Sequence, residues 1–171
     1  LQMESKSNIS VNLAVTIAAE GHKVVLVDGD FRKPMIQRFL GVNSMHRGIS
    51  AVLAGRCSLE DALLHSITYG IDVLPVGVVP PNPTELLAKS RMRDIMKKLE
   101  SEYDCVLIDA PPISVVTDAA IIGGMVDGAF LVVRSDYSPV EMVQLAKKKL
   151  EDVDVRIFGV ILSRFNAKKA G

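Results

Sequence analysis

The chain predicts an α/β protein, doubly wound, with a mostly parallel sheet. Short apolar runs, Val24–Val27 and Cys105–Ile108, read as strands buried on both faces. They alternate with longer stretches of helical apolar spacing, the pattern of parallel strands joined by helices. Asp28 and Asp109 each close an apolar run, at the strand end outside which ligands bind in open α/β sheets. With 171 residues, the chain is long enough for a real core, and one domain over the whole length is expected.

The elements follow in order. Ser7 to Gly21 carries Val11, Leu13, Ala14, Val15, Ile17 and Ala18 at helical spacing, and Gly21 supplies the stop. The strand Val24–Val27 comes next, then Asp28-Gly29-Asp30 and Arg32-Lys33-Pro34. Met35–Leu40 reads as a short amphipathic piece ended by Gly41. Ile49–Ala54 and Leu59–His65 read as short helices around Gly55, with Ser58 as N-cap of the second and Asp61 three residues on. Ile71–Pro75 is a strand. Val79 to Pro83 is a stiff loop, because proline fixes φ and lacks the N–H. Thr84 is expected to cap a helix Glu85–Ser90, and Arg91–Tyr103 continues with Met92, Ile95, Met96 and Leu99 facing inward. Tyr103 to Pro112 then repeats the Val24–Pro34 pattern: apolar strand, aspartate, stiff loop. Thr117–Met125 is a helix broken by Gly123-Gly124, Gly128–Val133 a strand, Pro139–Leu150 a basic helix and Ile157–Leu162 the last strand.

Composition excludes several function classes. The formal net charge is zero, so bulk electrostatic binding to nucleic acid is not expected. There is no Trp and aromatics are 5%, too few for stacking platforms on single strands. The two cysteines, Cys57 and Cys105, have no metal-ligand spacing and read as reduced thiols, Cys105 as a buried small hydrophobe. His22, His46 and His65 share no spacing and read as surface residues. No run approaches the ~18 apolar residues of a membrane span, and LQMESKSNIS does not read as a secretory leader. Membrane contact is therefore expected only through a partner or through further sequence. Lys147-Lys148-Lys149 reads as a solvated helix face.

Three features converge on phosphate chemistry. Lys6-Ser7 opens the first helix, Asp28 and Asp30 end one strand, and Asp109 ends another. A helix start binds phosphate through its free N–H groups and dipole. A lysine beside it neutralises charge, a hydroxyl ligates Mg²⁺, and strand-end carboxylates hold the ion or its waters. That is the minimum of a P-loop nucleotide site.

The residues also resemble a known family. KSNISVNLAVTIAAEGHKVVLVDGDFRKP is similar to the P-loop helix and second phosphate motif of the bacterial tyrosine kinases of capsular and exopolysaccharide systems. PPNPTELLAKSRM resembles that family's loop and helix before the catalytic aspartate strand, and YDCVLIDAPPI its Walker B strand. The similarity runs from about Glu4 to Gly171. It implies a P-loop NTPase fold and an ATP–Mg²⁺-dependent protein-tyrosine autokinase. Carried over by position, Lys6 contacts the phosphates, with Glu4, Ser5 and Asn8 beside it in the nucleotide site. Ser7 ligates Mg²⁺, and Asp109 holds the ion through water. Asp28 coordinates metal or activates the tyrosine hydroxyl, while Asp30 and Arg32 support the phosphate side. The resemblance further implies a membrane-embedded, co-polymerase-type activator, a cytoplasmic position at the inner membrane face through that activator, and a homo-oligomeric ring. In such a ring Lys147-Lys148-Lys149, Arg91 and Arg93 are candidates to meet an acidic neighbour.

The chain departs from the family pattern in four places. Ser5 and Met3 stand where P-loop glycines are usual. The strand that normally precedes the P-loop, and a tyrosine-rich tail, are expected outside this sequence; Tyr69, Tyr103 and Tyr137 do not form such a cluster. Leu162-Ser163-Arg164 occupies the place of an asparagine near the base, leaving Arg164 as the candidate contact. Two other readings therefore stand beside the kinase: a nucleotide-binding regulator or pseudo-kinase with a degenerate loop, and a partition- or septum-site-type ATPase. A Cβ at a loop position needing positive φ costs about 1–2 kcal/mol. Ser5→Gly is accordingly expected to tighten ADP–Mg²⁺ binding about tenfold by calorimetric titration; an unchanged or weaker affinity would clear the serine of blame.

Overall fold

A computed structural model describes residues 6–41, 47–113, 117–135 and 137–165. Met3, Glu4, Ser5 and His46 lie outside these. The chain divides into two compact units, Ser7–Pro111 and a second made of Leu1–Lys6 with Pro112–Gly171. Each unit carries its own sheet.

The first unit is built on β1 (Val24–Asp28), whose five residues are all buried. β-Branched and leucine side chains on both faces leave such a strand no solvated side. It pairs in parallel with β3 (Ile71–Leu74) on one edge and β4 (Cys105–Asp109) on the other. β2 (Leu64–Ser66) adds to β3 antiparallel, giving the order β2-β3-β1-β4. α1 (Lys6–Ala19) supplies the covering layer: Ala14 is fully buried, and Val11, Val15, Ile17 and Ala18 pack on Val24, Leu26, Ile71 and Val73. α6 (Ser90–Glu102) buries Met92, Ile95, Met96 and Leu99, as its spacing predicts. Its C-cap, Tyr103, donates its O–H to Asp72 Oδ2 at 2.6 Å, and His65 Nδ1 meets the other oxygen at 2.6 Å. His22 and His65 are exposed, as expected. Cys105 is half-buried rather than buried, and burial pushes its thiol up.

Three boundaries differ from the sequence expectation. The helix expected over Leu59–His65 stops as α4 (Leu59–Ala62), and the next residues form β2. Pairing of Leu64, His65 and Ser66 with Val73, Asp72 and Ile71 satisfies their backbone better than one more helical turn. Ser58 does cap α4, accepting the Asp61 N–H at 3.1 Å. Thr84 is not a cap: α5 spans Pro83–Leu87 with Asn82 before it. Pro83 takes the first helical position, where a missing N–H costs nothing, and Thr84 moves one residue inside. Finally, α5 and α6 are separate, because Lys89 is extended between them.

Between these elements lie two short helices, α2 (Ile36–Phe39) and α3 (Ile49–Leu53). α3 is pinned by its first residues, which donate Ile49 N–H to Pro75 O at 2.8 Å and Ser50 N–H to Val76 O at 3.2 Å. The preceding Gly48 lies flat against the Val76–Gly77 backbone.

The second unit holds α7 (Asp118–Gly123), β5 (Ala129–Arg134), α8 (Val140–Glu151) and β6 (Ile157–Ser163). β5 and β6 pair in parallel as a two-stranded sheet. Phe130 and Phe158 contact each other at 5.7 Å between centroids, and both remain half-exposed, as do Val160 and Leu162. α7 packs through Gly123, which has Val155 against it.

A Cβ at residue 48 would overlap Gly77 N and the Val76 carbonyl. Gly48→Ala should therefore destabilise the protein by about 1–3 kcal/mol, the range for overpacking a fixed backbone contact. Urea unfolding is the measurement, and a midpoint equal to wild type would show that α3 and β3 are free to separate.

Candidate functional site

Because β1 and β4 are in register, Asp28 and Asp109 are direct partners at their carboxyl ends. The chain continues from Asp28 across that edge, where Gly29 N–H donates to Asp109 O at 2.8 Å. The start of α1 meets the same point. Ser7 Oγ donates to Asp109 Oδ2 at 2.5 Å, and Ser10 Oγ, one turn on, donates to Asp109 Oδ1 at 3.2 Å. Residues three apart share a helix face, so both hydroxyls reach one carboxylate. Lys6 is the first residue of α1, immediately before Ser7.

Asp28 is fully buried and organises the loop that follows it. Its Oδ1 accepts the Asp30 N–H at 3.2 Å, and its Oδ2 accepts those of Met35 and Ile36, both at 3.1 Å. Asp30 repeats the device one step out, accepting the Arg32 N–H at 3.2 Å and the Lys33 N–H at 2.9 Å. Phe31, within this double turn, is fully buried. Arg32 Nη2 then donates to Thr84 Oγ1 at 2.9 Å, tying the loop to α5.

The electrostatics follow from burial. Loss of water pushes the Asp28 carboxyl up to about 7; the Ile36 N–H opposes this and the Asp109 charge adds to it. A group this close to neutrality both holds and releases a proton in the physiological range.

The structure thus brings together Ser7, Asp28, Asp30, Arg32 and Asp109, all from the first unit. Asn8 is on α1, where its Oδ1 accepts from Asn12 Nδ2 at 2.6 Å. Arg164 follows β6 in the second unit, in left-handed backbone with φ 56°. Glu4 and Ser5 are outside the described residues. The sequence reading missed Ser10, Phe31 and Thr84 as parts of this arrangement. Two of these had a signal: Ser10 stands three residues after Ser7, and Phe31 is the single apolar residue within DGDFRK.

All candidate ligands are oxygens, a hard donor set suited to Mg²⁺. No cluster of three metal-binding side chains occurs among the described residues. Nucleotide-bound Mg²⁺ uses one or two carboxylates together with substrate phosphates, so a hydroxyl and two acids fit that ion.

A hydroxyl in the first turn of a helix, set against two aspartates at adjacent parallel strand ends, is the arrangement of a P-loop NTPase. Comparison with known proteins agrees. Residues 4–153 match the family model described as an AAA domain. The chain is 38% identical over 167 residues to tyrosine-protein kinase YwqD of Bacillus subtilis (strain 168), covering 97% of this chain and 68% of that protein. It is 38% identical over 165 residues to the putative tyrosine-protein kinase AmsA of Erwinia amylovora, covering 96% of this chain and 23% of that protein. The solved kinase domain of the Escherichia coli tyrosine kinase ETK superposes with a TM-score of 0.91 at 33% identity, covering 98% of this chain and 67% of that one. The septum site-determining protein MinD of Pyrococcus horikoshii OT3, solved with Mg-ADP, reaches 0.81 at 27%, covering 97% and 68%. The chain belongs to the bacterial tyrosine-protein kinase family. It spans about a quarter of the length of AmsA and about two thirds of YwqD.

The raised Asp28 carboxyl has a consequence for stability. The folded state keeps this proton to higher pH than the unfolded chain does. The stabilising contribution is therefore complete below about pH 4, the unfolded value, and is lost as pH rises through about 7. Relative to Asp28→Asn, wild type should lose on the order of 3–4 kcal/mol across that window. Urea midpoints taken at each pH test this, and parallel curves for the two proteins would mean that Asp28 stays ionised throughout.

Proposed function

We propose that this chain is the catalytic domain of an ATP–Mg²⁺-dependent protein-tyrosine autokinase serving capsular or exopolysaccharide synthesis and export. The observation that carries this reading is the contact of Ser7 with Asp109 beside Asp28, which gathers a hydroxyl and two carboxylates at one sheet edge. The polysaccharide role comes from the family resemblance and from the tyrosine kinases to which the chain is similar.

In this reading Lys6 neutralises the transferring phosphates, with Glu4, Ser5 and Asn8 near the nucleotide and Arg164 near the base. Ser7, Asp28 and Asp109 hold Mg²⁺, which when bound would offset phosphate charge during transfer. The remaining work belongs to the chain itself. Ser10 keeps Asp109 oriented through its second oxygen. The buried Asp28 carboxylate accepts the proton of the tyrosine hydroxyl. Asp30 fixes the backbone of Arg32, whose guanidinium is held by Thr84 on the phosphate side. Such a site acts by positioning and charge rather than by covalent intermediates.

A membrane-embedded activator, a ring of copies and a cytoplasmic place at the inner membrane face complete the proposal. No helix among the described residues is long and apolar enough to cross a membrane; the activator is proposed from the family resemblance. The septum-site ATPase alternative is disfavoured by its lower identity among the solved structures, 27% against 33% for the ETK kinase domain, and by the DGDFRKP and PPNPTELL stretches. The regulator alternative predicts no ADP–Mg²⁺ binding at millimolar nucleotide.

Asp109→Asn and Asp28→Asn are each expected to lower phosphoryl transfer at least about 100-fold, with unchanged circular dichroism. Transfer of radiolabelled γ-phosphate to tyrosine is the readout. Activity retained in either variant would remove that carboxylate from the mechanism.

A further inference from the structure

We propose that Tyr137 is a phosphate acceptor for this kinase, and that Arg134 receives the phosphate once it is made. The proposal rests on the autokinase reading and adds a substrate residue to it. It concerns the second unit alone.

Three tyrosines are present, and their surroundings differ. Tyr103 is 9% exposed and its O–H is committed to Asp72 Oδ2 at 2.6 Å. An oxygen so placed reaches no second active site. Tyr69 is 36% exposed on the turn after β2, and among the described residues no cation is recorded against its ring. Tyr137 is the most exposed, at 47%. It lies between β5 and α8. Tyr137 N–H and Ser138 N–H both turn back to Arg134 O, at 3.4 and 3.1 Å, and Arg134 N–H donates to Ser138 Oγ at 3.2 Å. These bonds tie the backbone of Tyr137 and Ser138 to Arg134, and among the described residues no hydrogen bond engages the phenol oxygen.

Arg134 makes the place distinctive. Its guanidinium carbon stands 4.5 Å from the Tyr137 ring centroid, a cation–π pair. Its Nη1 is buried and has no hydrogen-bond partner among the described residues. Buried donors are nearly always satisfied, and one left open calls for an explanation. A phosphate on the stacked ring supplies an acceptor of the right chemistry: about −1.5 to −2 charge and three oxygens within a short reorientation of a guanidinium fork. The same pairing turns a cation–π contact into charge-assisted hydrogen bonds and orders the approach to α8.

The step balances with what the proposed activity supplies. In a second copy acting as enzyme, Tyr137 Oη bonds to the γ-phosphorus of ATP as the bond to the β,γ-bridging oxygen breaks. The phenol proton passes to that copy's Asp28 carboxylate, and ADP leaves.

The intact protein carrying this chain is incubated with ATP–Mg²⁺, digested with trypsin and mapped by mass spectrometry. Cleavage after Arg134 and Lys147 isolates Ser135–Lys147, which contains one tyrosine. Phosphate on Tyr137 in that peptide, lost in Tyr137→Phe, is the expected result. Phosphotyrosine elsewhere but none at Tyr137 overturns this proposal and leaves the autokinase reading standing. No phosphotyrosine anywhere overturns both. The receiving role of Arg134 has its own readout. With an added tyrosine phosphatase, Arg134→Gln should release the Tyr137 phosphate about tenfold faster than wild type. Equal rates would show that Arg134 does not hold it.

Discussion

A carboxylate with no exposure to water fixes the geometry on which the candidate site depends. Asp28 ends a strand buried on both faces, so its side chain has nowhere solvated to go. It recovers part of its lost hydration from three backbone N–H groups, those of Asp30, Met35 and Ile36. Those same three bonds curl residues 29–36 over the strand end. Asp30 extends the curl by two further N–H groups, and Phe31 within it is buried. Loop shape and carboxylate burial are therefore one phenomenon. A loop without these N–H donors would leave the acid uncompensated, and a loop without the acid would leave its own donors facing an apolar floor.

The opposing carboxylate is held differently. Asp109 is gripped by side-chain hydroxyls from α1, which can rotate away, whereas Asp28 is gripped by backbone, which cannot. The two acids are partners in register yet unequal in freedom. That inequality leaves the strand-end carboxylate of β4 the freer of the two to exchange partners, while the loop keeps the carboxylate of β1 in place.

Much of this was legible in the chain. β1 and β4 announce themselves because a run of β-branched residues ending in aspartate has few other meanings, and α6 because its inward residues keep strict helical spacing. What escaped did so for identifiable reasons. β2 is three residues long, and its strand character comes from Asp72, Val73 and Ile71 across from it rather than from its own sequence. Thr84 has the composition of a cap, but Pro83 claims the helix start by virtue of its ring. The spacing of Ser10 from Ser7 puts both on one face of α1, but only the position of β4 shows that this face meets Asp109. The separation of β5 and β6 into their own sheet likewise depends on pairing, which no single segment encodes.

The bond from Arg32 to Thr84 joins the two segments that make the sequence recognisable. Their separate distinctiveness is then a single property seen twice, the signature of one contact written at two distant addresses. Evolutionary drift at either address should leave a matching trace at the other, so a homologue that changes its guanidinium there is the place to look for a rewritten helix start.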